Sequence, residues 1–151
     1  MVLTSPASDA LHPAFSNLFV QTEIIEARQA ILCTRRPRAH GDSVPSLVHL
    51  MTVHGGTAGN ASYETDRARF IGRGNSVANP QALRSDAALS GTQGSVLDPI
   101  VAIRQRIKLA PKQTVTVDLV TGIGEDRAAC NSLIEKYQDR GLANRAFEVA
   151  W

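Results

Sequence analysis

"PIVAIRQRIKL" (residues 99–109) decides the fold class, because its apolar residues alternate with other residues from 101 to 109, with Gln105 as the one polar residue in the apolar row. The apolar set is Val101, Ile103, Ile107 and Leu109, and mostly basic side chains stand between its members. A strand places successive side chains on opposite faces. The pattern therefore predicts a β-strand with one face in a core and the other in water.

"TVTVDLVTG" (114–122) repeats this period, with Val115, Val117 and Leu119 on the predicted core face. The intervening "APKQ" (110–113) is short enough for a tight turn, so the two runs are predicted to form a hairpin. In such a hairpin the basic side chains of the first strand would lie near those of Thr116 and Asp118. The basic residues concerned are Arg104, Arg106 and Lys108.

The preceding sequence predicts further strands. Residues 17–36 read as one or two strands with a break at 26–28, and "SLVHLMTVHG" (46–55) reads as a strand buried on both faces. "GGTAGNAS" (55–62) indicates a turn, and "YETDRARFI" (63–71) indicates a charged strand. The stretch 72–95 is predicted to be irregular, with a helical turn near 80–84.

After Gly124 the period changes to that of a helix. Cys130, Leu133, Ile134 and Tyr137 lie at i, i+3, i+4 and i+7. Gly141 is predicted to end this helix, and a second short helix follows to the end of the chain. Strands followed by helices predict a mainly β fold, an antiparallel β-sandwich with C-terminal α-helices. We divide the chain into a partial sandwich domain (1–124) and a helical linker segment (125–151).

Composition excludes several classes of protein. A formal charge of +2 over 151 residues does not indicate a nucleic-acid partner, although thirteen arginines stand against three lysines. No signal peptide or membrane-spanning run is visible, so we expect no direct membrane insertion. Cys33 and Cys130 lack metal-ligand spacing and are predicted to be buried free thiols in a reducing compartment. A disulfide between them is left open.

The candidate catalytic and metal-binding patterns in the sequence do not have the residue spacing that their chemistry requires. "VTGIGEDRAAC" (120–130) places glycines at 122 and 124, but Arg127 occupies the third glycine position of a dinucleotide-binding turn. His49 and His54 are five residues apart on one strand and point to opposite faces, which is poor metal geometry. No carboxylates pair by spacing for glycoside chemistry. We therefore assign no catalytic residue, metal or cofactor.

"YETDRARFIGRGNSVANP" (63–80) is the most charged stretch. Arg67, Arg69 and Arg73 supply enough donors to bind a phosphate or a row of sugar hydroxyls. Ion pairing of these arginines with Glu64 and Asp66 is the alternative that the spacing favours.

Four sequence segments, which occur here in the same order as in a known family, carry a family resemblance. They are "HPAFSNLFVQTE" (12–23), "YETDRARFIGRGNSVANP" (63–80), "LSGTQGSVLDPIVAIRQRIKLAP" (89–111) and "VDLVTGIGEDRAACNSLIEKYQD" (117–139). Together they resemble the cellobiose phosphorylase family, which includes the cyclic β-glucan synthases. The resemblance implies part of an N-terminal supersandwich domain, of galactose-mutarotase-like architecture, and the start of linker helices leading to a catalytic (α/α)₆ barrel. The family's catalytic and phosphate-binding residues lie in that barrel and match no position here.

The resemblance implies a function connected with carbohydrate. We expect a non-catalytic β-sandwich module that scaffolds the barrel of its parent protein and binds a β-glucan oligosaccharide, with Arg69 and Arg73 as sugar or interface contacts. The alternatives are a portion of an active glycoside phosphorylase or glycosyltransferase, and a purely structural dimerisation module. The resemblance further implies a homo-oligomer in the cytoplasm, with the parent associated with the inner membrane.

Overall fold

The computed structural model describes residues 7, 10, 17–37, 40–41 and 44–150. The strands in these ranges form two antiparallel sheets, numbered here in chain order. The larger sheet has the spatial order β5 (Gly94–Ser95), β1 (Val20–Ile25), β2 (Ala30–Arg35), β3 (Ser46–His54) and β7 (Thr116–Gly124). The smaller sheet is a ribbon of β4 (Thr57–Asp66) and β6 (Pro99–Lys108). The helices α1 (Arg67–Ile71), α2 (Arg127–Gln138) and α3 (Arg140–Val149) complete the elements that position the site.

The predicted mainly β fold with C-terminal helices is confirmed. The break predicted within residues 17–36 is a short 3-10 turn, Glu26–Arg28, between β1 and β2. Gln29 closes this turn in the left-handed conformation, with φ 47°. The helical turn predicted near 80–84 is a 3-10 turn at Gln81–Leu83. The predicted turn at 55–62 is wrong beyond its first residues, because β4 already begins at Thr57.

The core between the two sheets, called here the inner core, joins β1, β2 and β3 to the ribbon. Its buried members are Val20, Ile31, Cys33, Leu47 and Tyr63. Val101 and Ile103 of β6 pack against them, as the alternation in that strand predicts. Apolar side chains from two opposed layers therefore hold the sandwich together.

A second core lies on the other face of the larger sheet and is called the helix-side core. Cys130 and Ile134 of α2 pack there against β2 and β3. The sheet residues of this core are Ala30, Leu32, Val48 and Leu50. The prediction that residues 46–55 are buried on both faces holds for the first part of β3, up to Met51. The boundary at 124 and 125 stays a prediction, but α2 shares a core with the sheet.

The predicted hairpin of β6 and β7 is wrong. β6 pairs with β4 in the ribbon, whereas β7 pairs with β3 in the larger sheet, from Ser46 opposite Gly124 to His54 opposite Thr116. The connection 109–115 therefore crosses between the sheets, as does the connection from β3 to β4. Asp118 lies opposite Thr52 and not opposite a basic residue of β6. Period two identifies strands but not their partners.

The predicted core face of β7 is also wrong, because Val117 and Leu119 are exposed by 43% and 65%. Leu119 lies opposite Met51 and Ile123 opposite Leu47, so these side chains point to the side of the inner core. A two-stranded ribbon is narrower than a five-stranded sheet, and β7 is an edge strand. The apolar row that β7 presents on this face, Val117, Leu119 and Ile123, therefore stays uncovered by the ribbon. Val120, on the opposite face, packs in the helix-side core.

The glycines of "VTGIG" make room for α2. A Cβ added at Gly124 would lie 2.9 Å from Ala129 Cβ and 3.0 Å from the backbone nitrogen of Cys130. The same strand-to-helix turn is fixed by Asp126, whose carboxylate accepts a hydrogen bond of 2.8 Å from the Ala129 backbone N–H. Gly141 does not end the helix as predicted, because α2 ends at Gln138 and Asp139 caps α3.

The two cysteines are free and buried, as predicted. Cys33 lies in the inner core and Cys130 in the helix-side core, so the larger sheet separates them. Burial raises the pKa of Cys33 to about 12, and burial is also the main cause of the raised pKa of Cys130. Neither thiol is therefore ionised near neutral pH in the folded chain.

We expect the native chain to resist a thiol-specific disulfide reagent at pH 8, because the thiolate is the reacting species and both sulfurs are enclosed. The measurement follows reagent absorbance with time, first in buffer and then in denaturant, where both thiols should react within minutes. Prompt reaction of either thiol in buffer would contradict this burial.

Candidate functional site

The charged stretch 63–80 changes direction where a single strand was predicted. β4 ends at Asp66, and the chain continues as the short helix α1. The Asp66 carboxylate accepts a hydrogen bond of 2.8 Å from the Ala68 backbone N–H, and Gly72 ends the helix with φ 79°. An N-cap acid and a left-handed glycine are sufficient local reasons for the turn. The predicted strand over 67–71 is therefore wrong.

Glu64 is the centre of a buried polar cluster at the end of β4. The residue is 1% exposed. Its Oε1 accepts hydrogen bonds from the backbone N–H groups of Thr65 at 2.9 Å and Asp66 at 2.8 Å. Its Oε2 accepts one from the Ser90 hydroxyl and one of 3.3 Å from the Thr92 hydroxyl. The Glu64 cluster thus fixes the segment 90–92 against the ribbon.

Arg104 of β6 holds the preceding segment over the outer face of the ribbon. Its Nη1 donates to the carbonyl of Ala87 at 2.7 Å and to that of Ser85 at 3.3 Å. Its Nη2 donates to the carbonyl of Ala82. These carbonyls belong to a stretch without ladder partners, so the guanidinium satisfies backbone groups that the irregular chain leaves free. We call residues 81–90 the covering loop.

A cavity of about 170 Å³ lies between α1, β6 and the covering loop. Its polar lining includes Glu64, Arg69, Gln81, Ser90 and Arg104, and Phe70 adds an aromatic wall. Glu64 and Arg104 use their charges within the protein. Arg69 is exposed and has no hydrogen-bond or ion-pair partner among the described residues. The Arg69 cavity is therefore lined by a cation that is available to a ligand.

The other two arginines of the stretch lie elsewhere. Arg67 Nη1 is 3.4 Å from Asp98 Oδ2, and both side chains are about half exposed. Arg73 lies between two glycines of positive φ, Gly72 and Gly74, and does not line the Arg69 cavity. The predicted ion pairs with Glu64 and Asp66 are wrong, because these two carboxylates bind backbone N–H groups. The two candidate arginines are therefore in different places, since Arg69 lines the cavity and Arg73 does not.

A wider groove of about 570 Å³ continues from the Arg69 cavity along the outer face of the ribbon. The two share Ser85, Ala88 and Arg104 as lining residues. The groove adds Asn60 and Ser62 of β4 and the exposed pair of Arg106 and Asp86, whose Nη2 and Oδ2 atoms are 3.2 Å apart. Hydroxyl, amide and charged groups thus follow one another along this face.

Other titratable pairs lie away from the Arg69 cavity, and in one of them His54 Nε2 is 3.1 Å from Asp118 Oδ2. Glu23 binds Arg127 through both carboxylate oxygens, and the hydrogen bond from Arg127 lowers the pKa of Glu23. No three His, Cys, Asp or Glu side chains come together as metal ligands in the ranges that the structure describes. In these ranges no helix is long and apolar enough to cross a membrane.

Sequence reasoning named Arg69 and missed Glu64 and Arg104 as organising residues. Both act on the covering loop, whose contacts with them lie 17–26 residues away in sequence. The only available signal is the position of Glu64 itself, a carboxylate between Tyr63 and Thr65. Loop contacts of this kind have no periodicity from which they could be read.

Two packed antiparallel sheets, a covering loop and helices after the last strand define a β-sandwich domain of the supersandwich class. Residues 1–140 match the family described as "Glycosyl hydrolase 94, supersandwich domain". The chain is also 35% identical over 150 residues to the cyclic beta-(1,2)-glucan synthase NdvB of Rhizobium meliloti (strain 1021). That alignment covers 99% of this chain and 5% of the relative. The chain belongs to the glycosyl hydrolase 94 supersandwich family.

Proposed function

We propose that this chain is a non-catalytic module that contacts β-glucan and scaffolds the catalytic part of a larger glucan-processing protein. The observation that carries the proposal is the exposed Arg69 guanidinium, which has no hydrogen-bond or ion-pair partner in the described part of the chain and lines a cavity with Glu64 and Phe70. Guanidinium groups donate up to five hydrogen bonds and suit arrays of hydroxyl oxygens. The name of the relative, a cyclic beta-(1,2)-glucan synthase, supplies the ligand class.

The scaffold part of the proposal rests on the small share of the relative's length that this chain matches. The matching stretch makes up 5% of the relative's length, so the rest of that protein contains ample sequence for other domains. A catalytic (α/α)₆ barrel in the parent is the partner that we propose. The two buried free thiols suit a reducing compartment, and we propose the cytoplasm.

Arg69→Ala should weaken binding of linear β-(1,2)-glucan oligosaccharides by about tenfold, since hydrogen bonds to charged groups contribute about 1.5–3 kcal/mol. Isothermal titration calorimetry of the full chain measures the change. Arg145→Ala is the matched control, because Arg145 is an exposed arginine of α3 outside the cavity. Arg73→Ala tests the second candidate residue, and a similar loss would add Arg73 to the contact surface. Unchanged affinity in both Arg69→Ala and Arg73→Ala would refute the assignment of these residues.

A structural dimerisation module is the second candidate, and the uncovered apolar row of β7 favours it. In the described part of the chain β7 is an edge strand, and its exposed Val117, Leu119 and Ile123 are a surface on which a second copy can pair. If this candidate is correct, light scattering detects a dimer of the chain. Calorimetric titration with glucan then gives no heat of binding. A portion of an active phosphorylase instead requires phosphate-dependent release of a sugar phosphate by this chain unaided.

A further inference from the structure

A second polar cavity, of about 500 Å³, lies at the mouth between the two sheets. One wall is the turn between β1 and β2, with Glu26 and Gln29, and the other is the ribbon. Asn60, Tyr63 and Gln105 are the polar residues of the ribbon wall. We call it the Tyr63 cavity. It shares no lining residue with the Arg69 cavity.

A bulge in β4 shapes the ribbon wall of the Tyr63 cavity. The register with β6 shifts between Ala58 and Ala61, so the intervening residues Gly59 and Asn60 leave the ladder. The Gln105 side chain compensates, because its Nε2 donates a hydrogen bond of 2.8 Å to the Gly59 carbonyl. Bulges redirect side chains locally, and this one places Asn60 at the cavity wall.

Two polar groups at this cavity lack hydrogen-bond partners among the described residues. One is Gln105 Oε1, an atom that the protein buries. The other is the hydroxyl of Tyr63, a residue that is 5% exposed as a whole. Burial first, and the negative charge of Glu26 second, raise the pKa of Tyr63, which places the phenol within reach of that carboxylate's field. Polar groups buried without partners cost stability, so their presence at a cavity points to a ligand.

The chemistry of the lining selects an uncharged polyhydroxyl ligand. Among the described lining residues there is no lysine or arginine, so this lining offers no counter-charge to a phosphate or carboxylate. Glu26 is the single carboxylate of the same described lining, which is too few ligands for a divalent cation. Amides and a phenol both donate and accept hydrogen bonds, as sugar hydroxyls do.

We propose that the Tyr63 cavity binds a neutral glucosyl unit of a β-glucan chain, with the Tyr63 hydroxyl and the amides of Gln105 and Asn60 as hydrogen-bonding groups. This inference rests on the proposed glucan-contact function and adds a subsite to it. The outer groove shares residues 59–61 and Gln105 with this cavity, and shares Ser85, Ala88 and Arg104 with the Arg69 cavity. One oligosaccharide can therefore follow the ribbon from Arg69 around the β4 bulge to Tyr63.

Tyr63→Phe tests the subsite, because it removes one hydroxyl and keeps the ring that packs in the inner core. We expect the dissociation constant for linear β-(1,2)-glucan oligosaccharides to rise about 3–10-fold, as the loss of one hydrogen bond predicts. Asn60→Ala, at an exposed position, should show a similar loss and tests the site without touching the core. Tyr137→Phe on α2 is the matched control and should bind as the wild type does. Side-chain amide signals of Gln105 and Asn60 in two-dimensional NMR should shift on titration.

The outcomes separate the two levels of the proposal. If the wild type binds glucan and both Tyr63→Phe and Asn60→Ala bind equally well, the subsite is refuted while the glucan-contact function stands. If the wild type gives neither heat nor NMR shifts with linear or cyclic β-glucans, the function itself is refuted, and the subsite with it. Weaker binding by both variants, with shifts at Gln105, supports the subsite.

Discussion

Glu64→Ala should lower the free energy of unfolding by about 3–5 kcal/mol, because it removes the acceptor of four hydrogen bonds and leaves a void. The carboxylate, 1% exposed, binds two backbone N–H groups and the hydroxyls of Ser90 and Thr92. Alanine leaves the two N–H groups near Thr65 without their acceptor. Urea denaturation followed by far-ultraviolet circular dichroism measures the loss. A change under about 1 kcal/mol would contradict this account of the cluster.

Glu64→Gln is the matched control for charge. Its amide oxygen still accepts from the N–H groups of Thr65 and Asp66, and its NH₂ group donates to the hydroxyls of Ser90 and Thr92, which also accept. We therefore expect a loss of only about 1 kcal/mol, the difference between a charge-assisted and a neutral hydrogen bond. A loss as large as that of Glu64→Ala would mean that charge, and not hydrogen-bond geometry, stabilises this end of β4.

Gly124→Ala should destabilise the chain by about 1–3 kcal/mol, because the added methyl group would overpack the contact between β7 and α2. The new Cβ would meet the Cys130 backbone nitrogen at 3.0 Å and Ala129 Cβ at 2.9 Å, and neither atom can rotate away. Relief requires α2 to move off the helix-side core, which exposes Cys130 and Ile134. Thermal unfolding measures the cost.

Gly122→Ala is the comparison within the same strand. The nearest atom to its added Cβ is Leu133 Cδ1, at 3.1 Å, which is the end of a flexible side chain. A rotamer change accommodates it, so we expect less than half the effect of Gly124→Ala. Equal losses at both positions would show that general flexibility of β7, and not the approach of α2, accounts for the glycines.

Local patterns predict the elements of this fold well, because each depends on a repeat within one segment. The alternation in β6 and the helical spacing around Cys130 are examples. Pairing depends on contacts that no local repeat encodes, which is why the hairpin of β6 and β7 is wrong. The face of β7 was also misassigned, since Val117 and Leu119 alternate with Val120 and the sequence does not show which row meets a covering layer.

The candidate site was predictable only in its exposed part. Arg69 was identified because it stands in a cluster of arginines between charged neighbours. Its separation from Arg73 depends on the turn at Asp66, where a capping side chain ends the strand. The roles of Glu64 and Arg104 depend on a loop with no periodicity, and Tyr63 looks in sequence like any other aromatic residue of a strand.

The larger sheet and the ribbon are covered by different elements, and we expect them to differ in how readily they open. β2 and β3 are enclosed between two cores, so we expect their amide protons to exchange with solvent only when the whole domain unfolds. The ribbon has two strands, a bulge and a cover made of loop, so it opens more readily. Both cavities proposed for glucan border that softer layer, and an incoming sugar chain therefore meets a wall that can adjust while the sheet behind it stays rigid.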